Sequence, residues 1–568
     1  MIGTTTLKRT LLHGLTALIA LPGIALAAQA DSAAAKTRPT LGSPVTPQSI
    51  NIDLRYLPKV PEWRPGQSIR EAHRRQYHPI GAVLPYAPEN KPTASDRLPE
   101  LQQIYDRQMP AGRRAKAASS HVTINNGSTG VSPGDPVVEV GPNHVMYGVN
   151  ASTGTYFKVY DKAGTLLAGP ITFKSLAPAG SPCASSVSDP IVMFDRAANR
   201  WFLLEMGGSS TAPYLCTYVS KTSDPVSGGW WAYGFAVPNV PDYPHCGIWN
   251  EAYICGDNEG GAQQSLYAFD RANMLTGATA RPAQRFASIP KLAGYGFQIV
   301  TPATVYGNTA PPAGTKPILM RHDDDEAHAG TAADGTKDFL DMYTMNIDWN
   351  TPANSGITTL PRIAITEFNS WFTNYSTFAT VPQPGSTSKL DPIREVLHNQ
   401  LSYRNYGTYE SLVGSFATNQ NSGRTRKSPV DAGVRWFELR KSGAGSWALY
   451  QEGTFGPGDT STHHLMSTAM ADKFGNIGMA YNVTKTSTPT VYASLRYTGR
   501  AVTDPLGVMT LSETTVAPGT AVEGSGRWGD YYQITVDPVD DCTFWFVGMY
   551  RPSGSWNTSI SSFKFPGC

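Results

Sequence analysis

The chain has 568 residues, roughly twice the size at which one simple core stops growing, so it forms several domains or one repetitive architecture. Only 16% of the residues are charged, while 54 glycines, 44 prolines and 27 tyrosines are present. This composition excludes a coiled coil, a long helical array and a disordered acidic chain. We therefore expect turn-rich β structure.

The first 30 residues have the pattern of a cleavable secretory signal. Lys8 and Arg9 precede an apolar run over 11–26, and small residues follow at 25–30. Later stretches contain no run of about 18 uncharged apolar residues. The sequence thus predicts a secreted or periplasmic protein without a stable membrane span.

A basic, proline-rich arm follows the signal and precedes an acidic body. Residues 31–118 carry 14 Lys/Arg and 8 Asp/Glu, and the remaining 119–568 carry 30 and 36. Such an arm is a solvated linker, a surface wrap, or a pro-segment trimmed at the basic stretch 113–116. Since the body is acidic, a nucleic-acid partner is not expected.

Six cysteines in an exported chain predict disulfides rather than a zinc site, because no Cys-x-x-Cys spacing occurs. Pairing within each supersecondary unit favours three bonds: Cys183–Cys216, Cys246–Cys255 and Cys542–Cys568.

One unit recurs from about residue 130: a polar entry residue, a half-buried strand, a Gly/Asp/Asn turn and an aromatic-rich second strand. Seven starts are found, at 134–136, 188–190, 244–246, 294–296, 407–409, 462–464 and 529–531. Strands separated by such turns form hairpins. A spacing of about 55 residues suits four short strands per unit, the size of a propeller blade. We predict an all-β, seven-bladed β-propeller over 119–568, with six blades as the alternative.

Two details complete this scheme. The long gap after the fourth start holds a complete blade (300–305, 317–320, 339–347 and 360–366) and a loop insertion at about 367–405. The last unit has only three evident strands, so a strand at 121–125 is expected to close the ring.

Two turns carry a family resemblance. Thr222-Ser223-Asp224-Pro225 leads to Gly229-Trp230, and Thr503-Asp504-Pro505 leads to Gly507. These turns resemble the Asp-box (BNR) turn, Ser-x-Asp-x-Gly-x-x-Trp, of the sialidase-like propeller superfamily, although the span 224–230 is one residue too long. That turn is structural in the superfamily, so the resemblance implies the fold and not the reaction.

The body also resembles an uncharacterised group of exported bacterial propeller proteins. The segments that carry this likeness are 242–244, 323–328, 435–440 and 527–531, followed by 536–538. The resemblance implies a secreted bacterial protein and brings no catalytic residue with it.

Residues that precede the innermost strand of each blade converge at one mouth of a propeller channel. The catalytic candidates at this mouth are Asp189, His245, Tyr409, Glu410, Arg527, Asp530 and Tyr531. The substrate-binding candidates are Asp135, Arg321, Arg404 and His464. A structural alternative stands beside this one: Asp135 and Asp189 cap turns through backbone N–H groups, and His245 is a buried structural histidine.

The acidic run Asp323, Asp324, Asp325 and Glu326 repels itself unless it is solvated or neutralised. A solvated loop, a calcium site and a histidine-containing transition-metal site are the three interpretations. The spacing matches no EF-hand loop.

Arginines at the mouth suit a carboxylate ligand, and Trp and Tyr suit sugar faces. The sequence therefore predicts a monomeric protein that binds, and cleaves as a hydrolase or lyase, an extracellular glycan. In a hydrolase, Asp189 and Glu410 are the paired carboxylates; in a lyase, a His or Tyr base acts beside an Arg- or calcium-bound uronate. The alternative is a non-catalytic adhesion or scaffold propeller that binds a cell-surface ligand.

Overall fold

Strands account for 45% of the structure and helices for 7%, so the all-β prediction is confirmed. The computed structural model describes residues 38–72, 94–116, 122–294, 296–328, 333–373, 377–423 and 428–568. The predicted signal segment lies outside the described residues, as do His121 and Tyr295. The described residues, from 38 onward, form one compact unit.

The elements before the repeat come first in the chain. They are β1 Thr40–Leu41, β2 Gln48–Ile50, β3 Arg70–Glu71, helix α1 Leu98–Gln108, β4 Thr123–Asn126 and β5 Val131–Ser132.

The remaining strands form antiparallel meanders. The first meander is β6 Val137–Val140, β7 His144–Ala151, β8 Gly154–Asp161 and β9 Leu166–Thr172. The second is β10 Ile191–Asp195, β11 Arg200–Ser209, β12 Ala212–Ser220 and β13 Trp230–Ala236. The third is β14 Asp242–Ile248, β15 Tyr253–Asn258, β16 Gln263–Phe269 and β17 Gln284–Pro290, with helix α2 Arg271–Thr276 before β17. The fourth is β18 Thr301–Tyr306, β19 Ile318–Asp323, β20 Lys337–Asn346, β21 Gly356–Thr359, β22 Ile363–Thr366, with helix α3 Asp325–His328 after β19. The last three are β23 Leu401–Asn405, β24 Glu410–Asn419, β25 Ala432–Lys441, β26 Ala448–Phe455; β27 Thr462–Ala471, β28 Ile477–Lys485, β29 Val491–Arg500, β30 Thr514–Gly519; and β31 Gln533–Val536, β32 Phe544–Tyr550, β33 Asn557–Phe563.

The first strand of each meander packs against the first strand of the next. The order of contact runs β6, β10, β14, β18, β23, β27, β31 and returns to β6. The strands β18 and β23 also pair in parallel, which joins the fourth and fifth meanders into one nine-stranded sheet. Four-stranded meanders arranged in this way are propeller-like.

These first strands are buried on both faces, so they show runs of apolar residues instead of strict alternation. All five residues of β10 are buried, for example. Large aromatic side chains fill the space between neighbouring meanders, and six tryptophans are fully buried: Trp201, Trp230, Trp249, Trp371, Trp436 and Trp528.

The last meander is completed by a strand from the N-terminal side, as predicted. Strand β4 pairs antiparallel with β33, with Ile124 opposite Ile560. This pairing ties the two ends of the repeat together and leaves the edge of β33 covered.

The fifth meander begins earlier than the sequence indicates. Its first strand is β23, at residues that the sequence scheme assigned to the insertion, so the intervening connection ends near residue 400. The start predicted at 407–409 is instead the turn between the first and second strands, with Gly407 at φ 83°.

The arm covers exposed strand edges. Strand β1 pairs with the outer strand β17, and β2 pairs with the outer strand β13. Helix α1 packs against β26. Described arm residues are thus a surface wrap, which protects edges that are otherwise open to aggregation.

The structure contains the three predicted disulfides. Their Cα–Cα distances are 5.6 Å for Cys183–Cys216, 4.1 Å for Cys246–Cys255 and 6.1 Å for Cys542–Cys568. Such bonds fit an oxidising compartment. Of the helices in the described ranges, none is both long and apolar enough to cross a membrane.

Candidate functional site

Two carboxylates mark the end of the channel at which the first strands begin, here called the entry end. Asp135 precedes β6 and accepts hydrogen bonds from the Asp530 backbone N–H at 2.5 Å and from the Asn150 side-chain amide at 2.6 Å. Asn150 in turn accepts from the Asp189 backbone N–H at 2.9 Å. Asp189 precedes β10 and accepts from the Tyr243 backbone N–H at 3.1 Å. These bonds link the seventh, first, second and third meanders.

The backbone at these entry residues is left-handed. The φ angles are 54° at Asp135, 63° at Asp189 and 58° at Tyr243. Asp tolerates this region better than Tyr, for which it costs about 1–2 kcal/mol. Strain of this kind often occurs at functional sites, and the hydrogen bonds above hold it in place.

Asp135 and Asp189 accept backbone N–H groups, as the turn-capping interpretation expects, but the donors belong to neighbouring meanders and not to their own turns. Burial adds a chemical consequence. The pKa of Asp135 is raised well above its usual range by desolvation, and next by the nearby carboxylates of Asp530 and Asp189. Burial and the neighbouring carboxylates thus favour the protonated form of Asp135, which is the form that donates a proton.

His245 lies among aromatic rings at the same end. Its ring centroid is 4.5 Å from that of Tyr243 and 5.5 Å from that of Tyr531. Within the described part of the chain, neither ring nitrogen has a hydrogen-bond partner, although the residue is fully buried. Desolvation lowers the pKa of His245 to about 3, so the ring is neutral. The hydroxyl of Tyr531 donates to Asp189 at 3.3 Å.

Arg527 brings a cation to this group. Its guanidinium lies 3.6 Å from the Asp530 carboxylate, and its side chain is only 13% exposed. Its Nε and one terminal nitrogen are buried without a hydrogen-bond partner among the described residues. The entry end therefore combines carboxylates, a neutral imidazole, a phenol and a guanidinium that pairs with Asp530 but keeps two nitrogens without a hydrogen bond among the described residues.

An arm residue approaches the same end. The Arg70 guanidinium donates to the carbonyl oxygens of Ala151 at 2.9 Å and Val187 at 3.2 Å. Strand β3, which holds Arg70, pairs in parallel with β5 just before the first meander. Ala151 follows Asn150 and Val187 precedes Asp189 by two residues, so Arg70 is bonded to the backbone next to both of these entry residues.

Three predicted residues lie at the opposite end of the channel, because β23 is the first strand of the fifth meander. Arg404 stands near the end of that strand, and Tyr409 and Glu410 follow it across the turn. Glu410 accepts from the Tyr403 hydroxyl at 2.6 Å and from Lys441 at 2.9 Å. Their predicted place at the entry mouth is wrong.

A buried ionic network fills this opposite end, here called the exit end. Both terminal nitrogens of Arg404 contact Asp541, at 2.6 and 2.9 Å, and Arg196 lies 3.3 Å from the same carboxylate. The guanidinium of Arg196 stacks over Tyr306, whose hydroxyl donates to Glu139 at 3.1 Å. These contacts join residues of the first, second, fourth, fifth and seventh meanders at the exit end.

Arg321 lies away from the channel mouth. It stands on β19, the second strand of its meander, and its Nε donates to Asp341 at 3.0 Å. Another of its nitrogens donates to the Pro290 carbonyl at 2.7 Å, which bridges the fourth meander to the third. The Arg321 guanidinium is thus tied to protein acceptors.

The acidic run is buried rather than solvated. Asp323 pairs with Arg362, Asp325 accepts the Asp334 backbone N–H at 2.9 Å, and Asp324 accepts the Ser370 N–H at 2.7 Å. The solvated-loop interpretation is wrong because the segment folds back as a short helix onto β20 and the insertion.

Part of this run forms a compact acidic cluster with a residue that the sequence did not flag. Oxygen atoms of Asp324, Glu326 and Asp338 lie within 4.8 Å of one another, and all three residues are buried. The pKa of Asp338 is raised well above its usual range, chiefly by desolvation and then by Asp324. A carboxylate cluster alone does not establish a cation site, so calcium stays a prediction.

His464 lies away from the entry group, in a cavity between the fifth and sixth meanders. Two residues of the entry group, Asn150 and Tyr243, were not singled out as site residues. Asn150 lies inside a regular strand, where no local pattern marks it. The unusual Asp-Tyr-Pro order at 242–244 was the available signal for Tyr243.

No protein-family model matches the chain, and no curated protein matches it. Similar solved structures include an endo-arabinase from Bacteroides thetaiotaomicron (11% identity, 56% of this chain, 95% of that chain, TM-score 0.26). An α-L-arabinofuranosidase from Fusarium graminearum aligns with 79% of this chain and 98% of that chain (10% identity, TM-score 0.31). A WD40 domain from fission yeast aligns with 76% and 96% (9% identity, TM-score 0.31). At such TM-scores, these likenesses carry no argument about the activity of this chain.

Proposed function

We propose that the mature chain is an exported seven-bladed propeller that binds an extracellular glycan at the entry end and hydrolyses it by acid–base chemistry. Support for the architecture comes from the meanders and the cyclic contact of their first strands. Support for export comes from the signal-like N-terminal sequence and the disulfides.

One observation carries the functional part of this proposal. At the entry end, His245 and Arg527 each present two buried nitrogens that have no hydrogen-bond partner among the described residues. Buried polar groups in native proteins are nearly always satisfied, by protein, water or ligand. A sugar hydroxyl suits the neutral imidazole, and a carboxylate on the sugar suits the guanidinium.

The carboxylates divide the work of hydrolysis. Asp135, with its raised pKa, is the proposed proton donor to the leaving oxygen. Asp189, hydrogen-bonded by Tyr531, is the proposed second carboxylate. Glu410 is no longer a partner for it, because Glu410 lies at the exit end.

A lyase is less well supported than a hydrolase. Proton abstraction beside a uronate requires a base with a pKa near the working pH. The pKa of His245 is lowered to about 3, and that of Tyr531 is raised well above its usual range. Neither group meets the requirement.

The test uses the mature protein and a panel of acidic and neutral polysaccharides. Asp135→Asn and Asp189→Asn keep the side-chain shape, and Asp161→Asn, in an exposed turn of the first meander, is the matched control. Release of new reducing ends should fall by roughly 10²–10⁴-fold in the first two variants and stay unchanged in the control. Ultraviolet absorbance of unsaturated uronates reports a lyase instead. Equal turnover by all the variants contradicts the assignment.

A non-catalytic glycan-binding propeller is the second candidate. It is favoured by the burial of Asp135 and Asp189, each of which accepts a backbone N–H. In that case the wild type binds a polysaccharide without releasing reducing ends, and Arg527→Ala abolishes the binding while the protein stays folded.

A further inference from the structure

A cavity of about 560 Å³ lies outside the entry group, between the fifth and sixth meanders. Phe455, at the end of β26, and Lys485, at the end of β28, line it from the two meanders. Gln102 and Arg114 line it from the arm. The cavity therefore has three walls, and one of them belongs to a segment that the sequence marked as removable.

An organised group of side chains forms the inner wall. His464 Nδ1 lies 3.1 Å from the Phe455 carbonyl oxygen, and its Nε2 lies 3.6 Å from Glu513. Glu513 accepts from the Tyr481 hydroxyl at 2.8 Å and from Arg496 at 2.5 Å. These contacts fix each group in one orientation before any ligand arrives.

The carboxylates around the cavity are already committed to protein donors. Glu513 is held by the hydroxyl and guanidinium described above, and Asp106 lies 2.5 Å from Arg114. Asp459 accepts two backbone N–H groups of the turn before β27, at 2.9 and 2.6 Å.

Two cationic side chains on the cavity walls have fewer partners than these carboxylates. Among the described residues, the Lys485 ammonium has no ion pair within 4 Å and no hydrogen bond, and Arg496 Nε is buried without a partner. The uncommitted groups on the walls are thus donors that carry positive charge.

We propose that this cavity is a binding site for a small ligand that carries an oxyanion, either a carboxylate or a sulfate. Lys485 and Arg496 hold the oxyanion, and Arg114 of the arm closes the outer side. Charge-assisted hydrogen bonds from ammonium and guanidinium groups favour such a ligand over a neutral one. The site is distinct from the entry end and does not depend on any activity there.

Binding is measured by calorimetry on the full mature chain with three probes: glucuronate, inorganic sulfate and glucose. Glucuronate or sulfate should bind saturably, and glucose should not. Lys485→Ala should weaken binding roughly 10- to 100-fold, the loss of one hydrogen bond between charged groups. Because that ammonium has no partner to leave behind, the variant should fold normally. Lys316→Ala, which removes an exposed lysine elsewhere, is the matched control.

The probes also separate the two sources of the oxyanion. Binding of glucuronate alone assigns an acidic sugar, binding of sulfate alone assigns a sulfated ligand, and binding of both assigns the shared charge. Failure of both probes to bind, equal binding of glucose, or unchanged binding by Lys485→Ala overturns the proposal.

A second readout uses the arm. Because Arg114 lines the cavity, a bound ligand should stabilise this part of the folded arm. Tryptic cleavage after Arg114 should therefore be slower when the cavity is occupied. The slowing should be lost in Lys485→Ala and kept in Lys316→Ala. Cleavage at the same rate with and without a bound probe contradicts the part assigned to the arm.

Discussion

Asp96 ties the arm to the body just before helix α1. One oxygen of its carboxylate accepts the Leu98 backbone N–H at 2.9 Å, at the start of α1, and the other lies 2.8 Å from the fully buried guanidinium of Arg435 and accepts from the Thr454 hydroxyl at 3.1 Å. Arg435 keeps a second partner, Glu452, at 3.1 Å. Asp96→Ala thus removes a hydrogen bond to the first turn of α1, worth about 1 kcal/mol, and one of the two carboxylates that pair with the buried Arg435 guanidinium.

Breaking a buried ion pair costs about 3–5 kcal/mol, and the lower end applies because Glu452 remains. We expect Asp96→Ala to lower the free energy of unfolding by about 3–4 kcal/mol. Urea denaturation followed by tryptophan fluorescence measures this change. Glu100→Ala, at an exposed position of the same helix, is the control and should change stability by less than about 0.5 kcal/mol. Equal stability of the two variants would refute the inference that the arm is an integral part of the fold.

Two further predictions concern the entry end, and a third concerns the arm. The pKa of Asp135 is raised in the folded state, so the stability of the protein should fall as the pH rises from the usual Asp pKa towards the pKa of Asp135. Asp135→Asn should therefore reduce the change of the thermal midpoint with pH over this range. Asp161→Asn, whose carboxylate has a lowered pKa, should leave that change as it is in the wild type. For His245 the pH dependence of stability has the opposite sign. Its pKa is lowered to about 3 in the folded state, so the stability of the protein should fall as the pH drops below 6.5. His245→Phe should therefore move acid unfolding to lower pH, and an unchanged acid-unfolding transition contradicts this. A Cβ at Gly130 lies 2.3 Å from the Trp63 ring, so Gly130→Ala should displace this part of the arm and speed its proteolysis, and an unchanged rate speaks against that contact.

The hairpins of the repeat were predictable because their signals are local. An Asp/Gly/Asn turn between a buried strand and an aromatic-rich strand is enough to locate β10 with β11, and β27 with β28. The strand that completes the last meander was also predictable, because the sequence shows only three strands there where the other units have four. Cysteine pairing followed from the same local geometry.

The start of the fifth meander was missed because its signal is not local. Strand β23 lacks the Asp-Pro or Gly-Asp entry found before β6, β10 and β31, and one of its two partners is β18, a hundred residues earlier, with which it pairs in parallel. That error alone moved Tyr409, Glu410 and Arg404 to the wrong end of the channel. A wrong start reverses the direction of every strand that follows within a meander.

The acidic run shows the same limit for charged groups. Four carboxylates in sequence suggest repulsion and solvation, yet Arg362, which lies between β21 and β22, neutralises one of them. Asp325 accepts the nearby backbone N–H of Asp334, and Asp324 accepts that of Ser370 in the insertion. A sequence pattern supplies the charges, whereas long-range folding decides which of them meet.

The two ends of the channel differ in how their arginines are used. At the exit end, Arg404 places both terminal nitrogens on Asp541, so the cation serves to close the structure. At the entry end, the Arg527 side chain makes no hydrogen bond to the described residues, and its closest carboxylate is 3.6 Å away. A buried guanidinium left in this state costs stability, and a ligand that carries a carboxylate recovers that cost. This difference, rather than any likeness to other proteins, is the reason to look for a substrate at the entry end.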